Sequence, residues 1–280
     1  MPEGISIYRH RLATRVLHWV NALCVFIVLM SGLQIFDAHP RLYWGAAGAD
    51  ADPAALEIGS REGRGGQPVG VLRVGRFEAA TTGFLGISRD EEGELAERAF
   101  PAWATLPSER DLATGRRWHF FFAWVLVLNS AIFLIVSLSS GHIRRDLLPT
   151  RSEVAPAHVL RDIGNHLRLR FPRGESARNY NVLQKLAYLS VIFVLAPLLL
   201  GTGLTMSPGM DAALPWLVHL YGGRQSARTL HFLAAMLIVL FIGVHLTMVV
   251  LAGPWNELRS MITGRYVLPA AKPPKAGKSP

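Results

Sequence analysis

Cysteine is nearly missing from this 280-residue chain, with Cys24 standing alone. A disulfide within the chain, a thiolate metal site and a CxxCH haem attachment are therefore excluded. Charge is also scarce, at 18% of residues against 50% hydrophobic, the balance of an integral membrane protein. Acidic residues are the scarcer sign: 20 Asp and Glu face 29 Lys and Arg, a formal charge of +9. In a soluble protein that excess would point to nucleic acid. Here the arginines cluster in loops beside long apolar runs, which is the topology signal of membrane proteins, so no nucleic-acid partner is expected. No nucleophile, carboxylate pair or phosphate loop stands out. Gly63-Arg64-Gly65-Gly66 lacks the strand–helix setting of a nucleotide site and reads as a flexible turn.

What is present is a set of four apolar runs. A helix needs about 20 apolar residues to cross a hydrocarbon core of ~30 Å. Spans are expected at 16–36, 118–140, 180–205 (kinked at Pro197) and 228–252. The first run is too long for a signal-peptide core and lacks a clean cleavage site after it, so it reads as a retained span. Between the spans lie a long polar segment (37–117), a basic one (141–179) and a shorter one poor in Lys and Arg (206–227). The 69–77 stretch alternates weakly and predicts one strand of a hairpin. In the 141–179 segment, Val159, Leu160, Ile163 and Leu167 recur at helical spacing opposite Arg161 and Arg168, which predicts an amphipathic helix on the membrane surface. The basic, Pro-rich tail at 253–280 is expected to be disordered. The basic 1–15 and 141–179 segments and the tail mark one side as cytoplasmic. The expectation is an all-α integral protein of the bacterial inner membrane: a four-helix bundle, both termini inside, with the 37–117 loop in the periplasm.

Histidines then fall into place. His231 and His245 are fourteen residues apart in the fourth span. At ~3.5 residues per turn in a left-handed bundle, both face one side. At ~1.5 Å rise per residue they lie roughly 21 Å apart along the axis. His18 sits at the cytoplasmic start of the first span and His119 at the outer start of the second. Topology, derived without them, pairs His119 with His231 outside and His18 with His245 inside. A lone span histidine is usually a packing or hydrogen-bonding residue; four that pair by depth point to ligands. Two stacked imidazole pairs across interhelical gaps are the arrangement for bis-histidine haem iron. A zinc site is a poorer fit, because two histidines without carboxylate or thiolate do not complete a tetrahedron. Gly32, Gly201, Gly203 and Gly243 remove bulk where a flat macrocycle would pass. Arg116, Arg117 and Arg228 beside the outer pair, and Arg9, Arg11 and above all Arg15 beside the inner one, are candidates for the haem propionates. His142 is an interfacial residue and a reserve candidate for a proton or quinone role.

The residues Arg15-Val-Leu-His18-Trp19-Val-Asn21, leading to Ser31-Gly32-Leu33, resemble the first-helix motif of the prokaryotic di-haem b-type cytochromes. That superfamily includes bacterial cytochrome b561, the b-type cytochrome of nickel–iron hydrogenase and the gamma subunit of formate dehydrogenase. His231 and His245 match its fourth-helix pair. The stretches from Asp111 to Phe122 and from Gly141 to Pro149 are similar to the membrane-anchoring thiosulfate reductase cytochrome b group. The resemblance covers the spans and their flanks. It implies two haems b and a quinone site near the inner one. Tyr180-Asn181-Val-Leu-Gln184-Lys185 is similar to the family's YNxxQK stretch, which would give Asn181 and Gln184 to a quinone carbonyl or a proton relay. As residues alone, they could equally cap the third span.

The function implied is electron transfer between the quinone pool and a periplasmic oxidoreductase of the molybdopterin type, with this chain as anchor subunit and no catalysis of its own. Rival readings are the anchor of a nickel–iron hydrogenase, a self-contained cytochrome b561 that oxidises superoxide or another small reductant, and a cofactor-free scaffold or transporter.

Overall fold

A computed structural model describes residues 5–90, 92–168 and 181–268. Among the described residues, four helices are long and apolar enough to cross a membrane. They are α1 (Leu12–Asp37), α2 (Leu112–Ser139), a third that runs Val182–Thr205, and α8 (Arg224–Ala252). Their apolar side chains are largely exposed, Leu23, Phe26, Leu128, Ile135 and Leu240 each by more than half, which suits a lipid solvent. The third span is α4 (Val182–Ser190), a π-turn at Val191–Leu195 and α5 (Ala196–Thr205). Pro197 thus sits in the first turn of α5, where its missing N–H costs least.

The chain divides into two compact units, and α1, α2, α8 and the third span each contribute to both. The first unit holds 1–19, 133–190 and 240–280. In it β1 (Ile5–Tyr8) pairs antiparallel with β8 (Arg265–Leu268). Between α8 and β8 lies α9 (Pro254–Thr263), and Arg9 joins Glu257 at 3.2 Å. Residues 254–268 are therefore ordered, contrary to the expectation for the tail. Their partner is the N-terminal strand, a pairing across nearly the whole length of the chain that no local pattern announces. Residues 269–280, with the Ala270–Lys275 run, lie outside the described residues. The basic segment contains α3 (Pro156–Leu167), the predicted amphipathic helix; Arg170, Arg173, Arg178 and Tyr180 lie outside the described residues.

The second unit holds 20–132 and 191–239. Here strands join the helices, beyond the all-α expectation. The segment after α1 forms a four-stranded antiparallel sheet in the order β2 (Arg41–Leu42), β3 (Leu56–Glu62), β4 (Pro68–Val74), β5 (Phe77–Ala80), and a hairpin of β6 (Gly86–Arg89) with β7 (Leu95–Arg98). The hairpin strand expected at 69–77 falls on β4 and β5. The mixed charge that reads as loop is one face of this sheet. Glu57 pairs with Arg41 and Arg73, and Glu78 with Arg61 and Arg73, across neighbouring strands. The β6 hairpin packs so closely on β3 and β4 that a Cβ on Gly86 would lie 2.0 Å from the Gly59 carbonyl. Between α5 and α8, residues 206–220 form two short helices, α6 (Pro208–Ala213) and α7 (Pro215–Leu220).

The sheet is tied to the spans by buried polar groups. Asp37, the last residue of α1, accepts the Ala99 N–H and stands 3.8 Å from Arg98 and 3.5 Å from Arg110. Phe36 stacks on Phe232 of α8 at 4.7 Å, beside Leu42, Ile58 and Ala99. The Gly45 carbonyl accepts the N–H groups of Gln225 and Ser226, closing the start of α8. Asp111 does the same for α2 by accepting the Thr114 N–H at 3.0 Å. Hydrogen bonding from the Thr114 side chain and backbone holds the Asp111 carboxyl below the usual carboxylate range. Asp37→Ala leaves the buried Arg98 guanidinium and the Ala99 N–H uncompensated. A loss of about 3–5 kcal/mol is expected, read as a lower midpoint of thermal unfolding in detergent, with Asp37→Asn falling between variant and parent.

Candidate functional site

His119 of α2 and His231 of α8 meet with ring centroids 6.2 Å apart and planes inclined at 60°. His18 of α1 and His245 of α8 meet at 6.4 Å and 61°. The partners are the expected ones, but the rings are inclined rather than stacked. The separation is the span expected when one metal atom sits between two imidazoles, about 2 Å from each ligating nitrogen. Each pair lies within one of the two units.

The first pair is held by a device used twice. Ser31 of α1 turns its hydroxyl to the Ile27 carbonyl at 2.6 Å. Beside it, Nδ1 of His119 lies 3.1 Å from the Val28 carbonyl and 3.3 Å from Ser31 Oγ. On α5, Thr202 turns its hydroxyl to the Leu198 carbonyl at 2.6 Å, and Nδ1 of His231 lies 3.1 Å from the Leu199 carbonyl and 3.0 Å from Thr202 Oγ1. A carbonyl can only accept, so Nδ1 carries the proton in both rings. Each ring then keeps its Nε2 lone pair for a metal. The residue after each hydroxyl is glycine, because the ring lies on the helix backbone. A Cβ on Gly32 would come within 3.3 Å of His119 Cε1, and one on Gly203 within 3.5 Å of His231 Cε1.

The sequence repeats accordingly: Ser31-Gly32-Leu33 in the first span and Thr202-Gly203-Leu204 in the third. Thr202 escapes a reading for site residues by type alone, although this repeat points to it. Gly201 serves another contact, because a Cβ there would collide with the Tyr221 hydroxyl. The second pair is dressed by aromatics, with Phe241 stacked on His245 at 6.0 Å and Trp19 edge-on to His18 at 5.5 Å.

The arginines expected near propionates are partly engaged. Arg228 donates to the His39 carbonyl and lies over the Phe36 ring, and Arg15 donates to the Ile262 carbonyl. Arg116 lies over Phe120 and Arg117 reaches Thr114 Oγ1, both on the exposed side of α2. Asn181 and Gln184 form a reciprocal capping box at the start of α4. Gln184 N–H donates to Asn181 Oδ1 at 2.9 Å and Asn181 N–H to Gln184 Oε1 at 3.2 Å. Beside them, buried Lys185 pairs with Glu153 at 2.9 Å. Glu153 also accepts the Thr150 N–H, and this bond together with Lys185 holds its carboxyl below the usual range. His142 pairs with Asp146 one turn on, at 2.6 Å. Among the described residues no three of His, Cys, Asp and Glu converge to hold a metal ion.

Two histidine pairs between spanning helices, one of them with Nδ1 protonated in both rings, suit a b-type membrane cytochrome, since haem supplies the remaining ligands itself. The family model of the prokaryotic cytochrome b561 proteins matches residues 9–264, and the chain belongs to that family. It is a multi-pass membrane protein of electron transfer, in a family that binds b-type haem. It is also similar to a chain of Azospira oryzae named as a putative protein-methionine-sulfoxide reductase subunit, YedZ1: 26% identical over 250 residues, 89% of this chain and 93% of that one. No solved structure matches it.

Removing a hydroxyl that accepts from Nδ1–H makes the imidazole a weaker donor to ferric iron. A hydrogen bond worth about 1 kcal/mol corresponds to roughly 40 mV for a one-electron couple. With haem iron on His231, Thr202→Ala should therefore raise that haem's potential by a shift of that order while leaving the haem content unchanged. Redox titration of the absorption spectrum checks both.

Proposed function

We propose that this chain is the di-haem anchor and electron-transfer subunit of an oxidoreductase, moving electrons between the quinone pool and a periplasmic partner. The observation that carries it is the pairing of His119 with His231 and His18 with His245, each at ring separations that suit one iron. Haem supplies the one-electron redox chemistry. The chain supplies four imidazoles, the carbonyls and hydroxyls that fix two of them, and an apolar helix environment. His231 and His245 share one continuous helix, α8, so a single element serves both sites.

In this reading the His119–His231 haem is the outer one and exchanges electrons with a periplasmic oxidoreductase of the molybdopterin type. The His18–His245 haem is the inner one. Both termini are cytoplasmic in the bacterial inner membrane. The naming of the Azospira chain as a reductase subunit supports an anchor subunit over a self-contained superoxide oxidase or a hydrogenase partner. Arg15, Arg116, Arg117 and Arg228 are proposed for the propionates. Asn181 and Gln184 are proposed for the quinone; their backbone capping uses the side-chain oxygens and is compatible with exchange of one cap for a ligand.

The pairing is tested by haem content. The purified parent should carry two haems b per chain by pyridine haemochromogen, and His18→Ala or His245→Ala should carry one, with the remaining spectrum intact. Loss of both haems, or of neither, contradicts the pairing. The quinone assignment is tested separately with Asn181→Ser, which keeps a helix cap. If Asn181 binds quinone, the variant keeps both haems but loses most quinol-driven haem reduction; unchanged reduction would leave Asn181 as a cap only.

A further inference from the structure

The β-rich segment carries an exposed aromatic pair that neither the sheet nor the histidine sites use. Trp103, on a short 3-10 turn at Ala102–Ala104, is 72% exposed, and Phe84 is 56% exposed. Their rings lie 6.1 Å apart. The turn is firmly held. Ala102 and Thr105 on either side of Trp103 are buried, and the buried Arg98 donates to the Phe100 carbonyl, to Thr105 Oγ1 and to the Ser108 carbonyl. Trp103 therefore points outward as a fixed feature.

The depth of this turn is set by a backbone contact. The Leu106 N–H donates to the Met30 carbonyl at 3.2 Å. Met30 lies seven residues before the end of α1, which is about 10 Å down the helix axis. It follows Leu23 and Phe26 at helical spacings of seven and four, so the three share a face, and Leu23 and Phe26 are 57% and 61% exposed. In a spanning helix that face is the lipid face. Trp103 is three residues from Leu106, so their Cα atoms are at most about 10 Å apart. Leu106 itself enters the gap between α1 and α2, beside Gly115 and buried Gln34. The turn is thus anchored about two helical turns below the end of α1, a depth that a partner protein standing in water does not reach.

From this we infer that Phe84 and Trp103 insert into the headgroup boundary of the bilayer on the β-rich side and seat the sheet against the membrane. An indole favours that boundary, where its apolar body and its N–H are both satisfied, and the phenyl ring of Phe84 adds apolar surface beside it. The occupant of this patch is lipid, and the docking face for a redox partner lies elsewhere on the sheet. The inference rests on the reading of α1 as a membrane span.

Spin-label accessibility in lipid nanodiscs tests it on the full chain. Cys24, buried in α1, is the single cysteine, so Cys24→Ala gives a clean background. One nitroxide is placed in turn at Trp103→Cys, at Phe84→Cys (which keeps Trp103), at Phe77→Cys on the β4–β5 hairpin and at Ile135→Cys in α2. Positions 103 and 84 should collide with lipid-soluble oxygen over a water-soluble nickel chelate several-fold more than position 77, approaching position 135. Values at 103 and 84 equal to that at 77 would overturn the inference and leave the pair as a water-facing docking site. A water-like value at 135 as well would overturn the spanning reading together with it.

Discussion

The structure depends on where the second imidazole proton goes. A histidine can offer one nitrogen to a metal only if the other nitrogen, buried among apolar helices, has an acceptor for its proton. Along a helix the acceptors within reach are backbone carbonyls, whose second lone pair is free when the first is used within the helix. Here Val28 and Leu199 serve as acceptors, each beside a Ser or Thr hydroxyl folded back on the preceding carbonyl. Glycine at the position after the hydroxyl lets the ring approach the backbone. The same device on α1 and α5 fixes two rings carried by α2 and α8, so all four spans contribute to one histidine pair.

The β-rich segment serves this arrangement at the end of the helices. The Asp37 carboxylate ties the end of α1 to the Ala99 N–H, while Asp111 caps α2 and the Gly45 carbonyl closes the start of α8. Helix starts near a site would otherwise leave N–H groups without partners. The segment between the first two spans thus supplies helix caps and carries its own cross-strand ion pairs. Its exposed charges contribute little each, in the range of ~0–1 kcal/mol for surface pairs. Buried Arg98, bonded to Phe100, Thr105 and Ser108 and facing Asp37, matters more to the fold than any of them.

Much of this was legible in the sequence because two signals are strong: long apolar runs, and histidines where apolar residues belong. Fourteen-residue spacing placed His231 and His245 on one face, and the alternating direction of successive spans set which histidine stands at the same depth as each. The rest depended on partners distant in sequence. Thr202 looks like a small polar residue until His231 is brought beside it. Of the sheet, only the hairpin at 69–77 showed in local alternation; Arg41, Glu57, Arg73 and Glu78 become a face only through their cross-strand register. The β1–β8 pairing joins the two ends of the described chain, beyond any local periodicity. Asn181 and Gln184 show the reverse case: a motif with two meanings, of which the capping geometry is visible and the ligand-binding one is a proposal.

The most direct test of the central claim is the ligation state of the oxidised protein, read by low-temperature electron paramagnetic resonance with near-infrared magnetic circular dichroism. If each iron sits between two neutral imidazoles, both haems are low-spin and both give the charge-transfer band of bis-histidine ligation. A high-spin ferric signal from either haem in the native protein, or a band from a different axial ligand, would contradict the account.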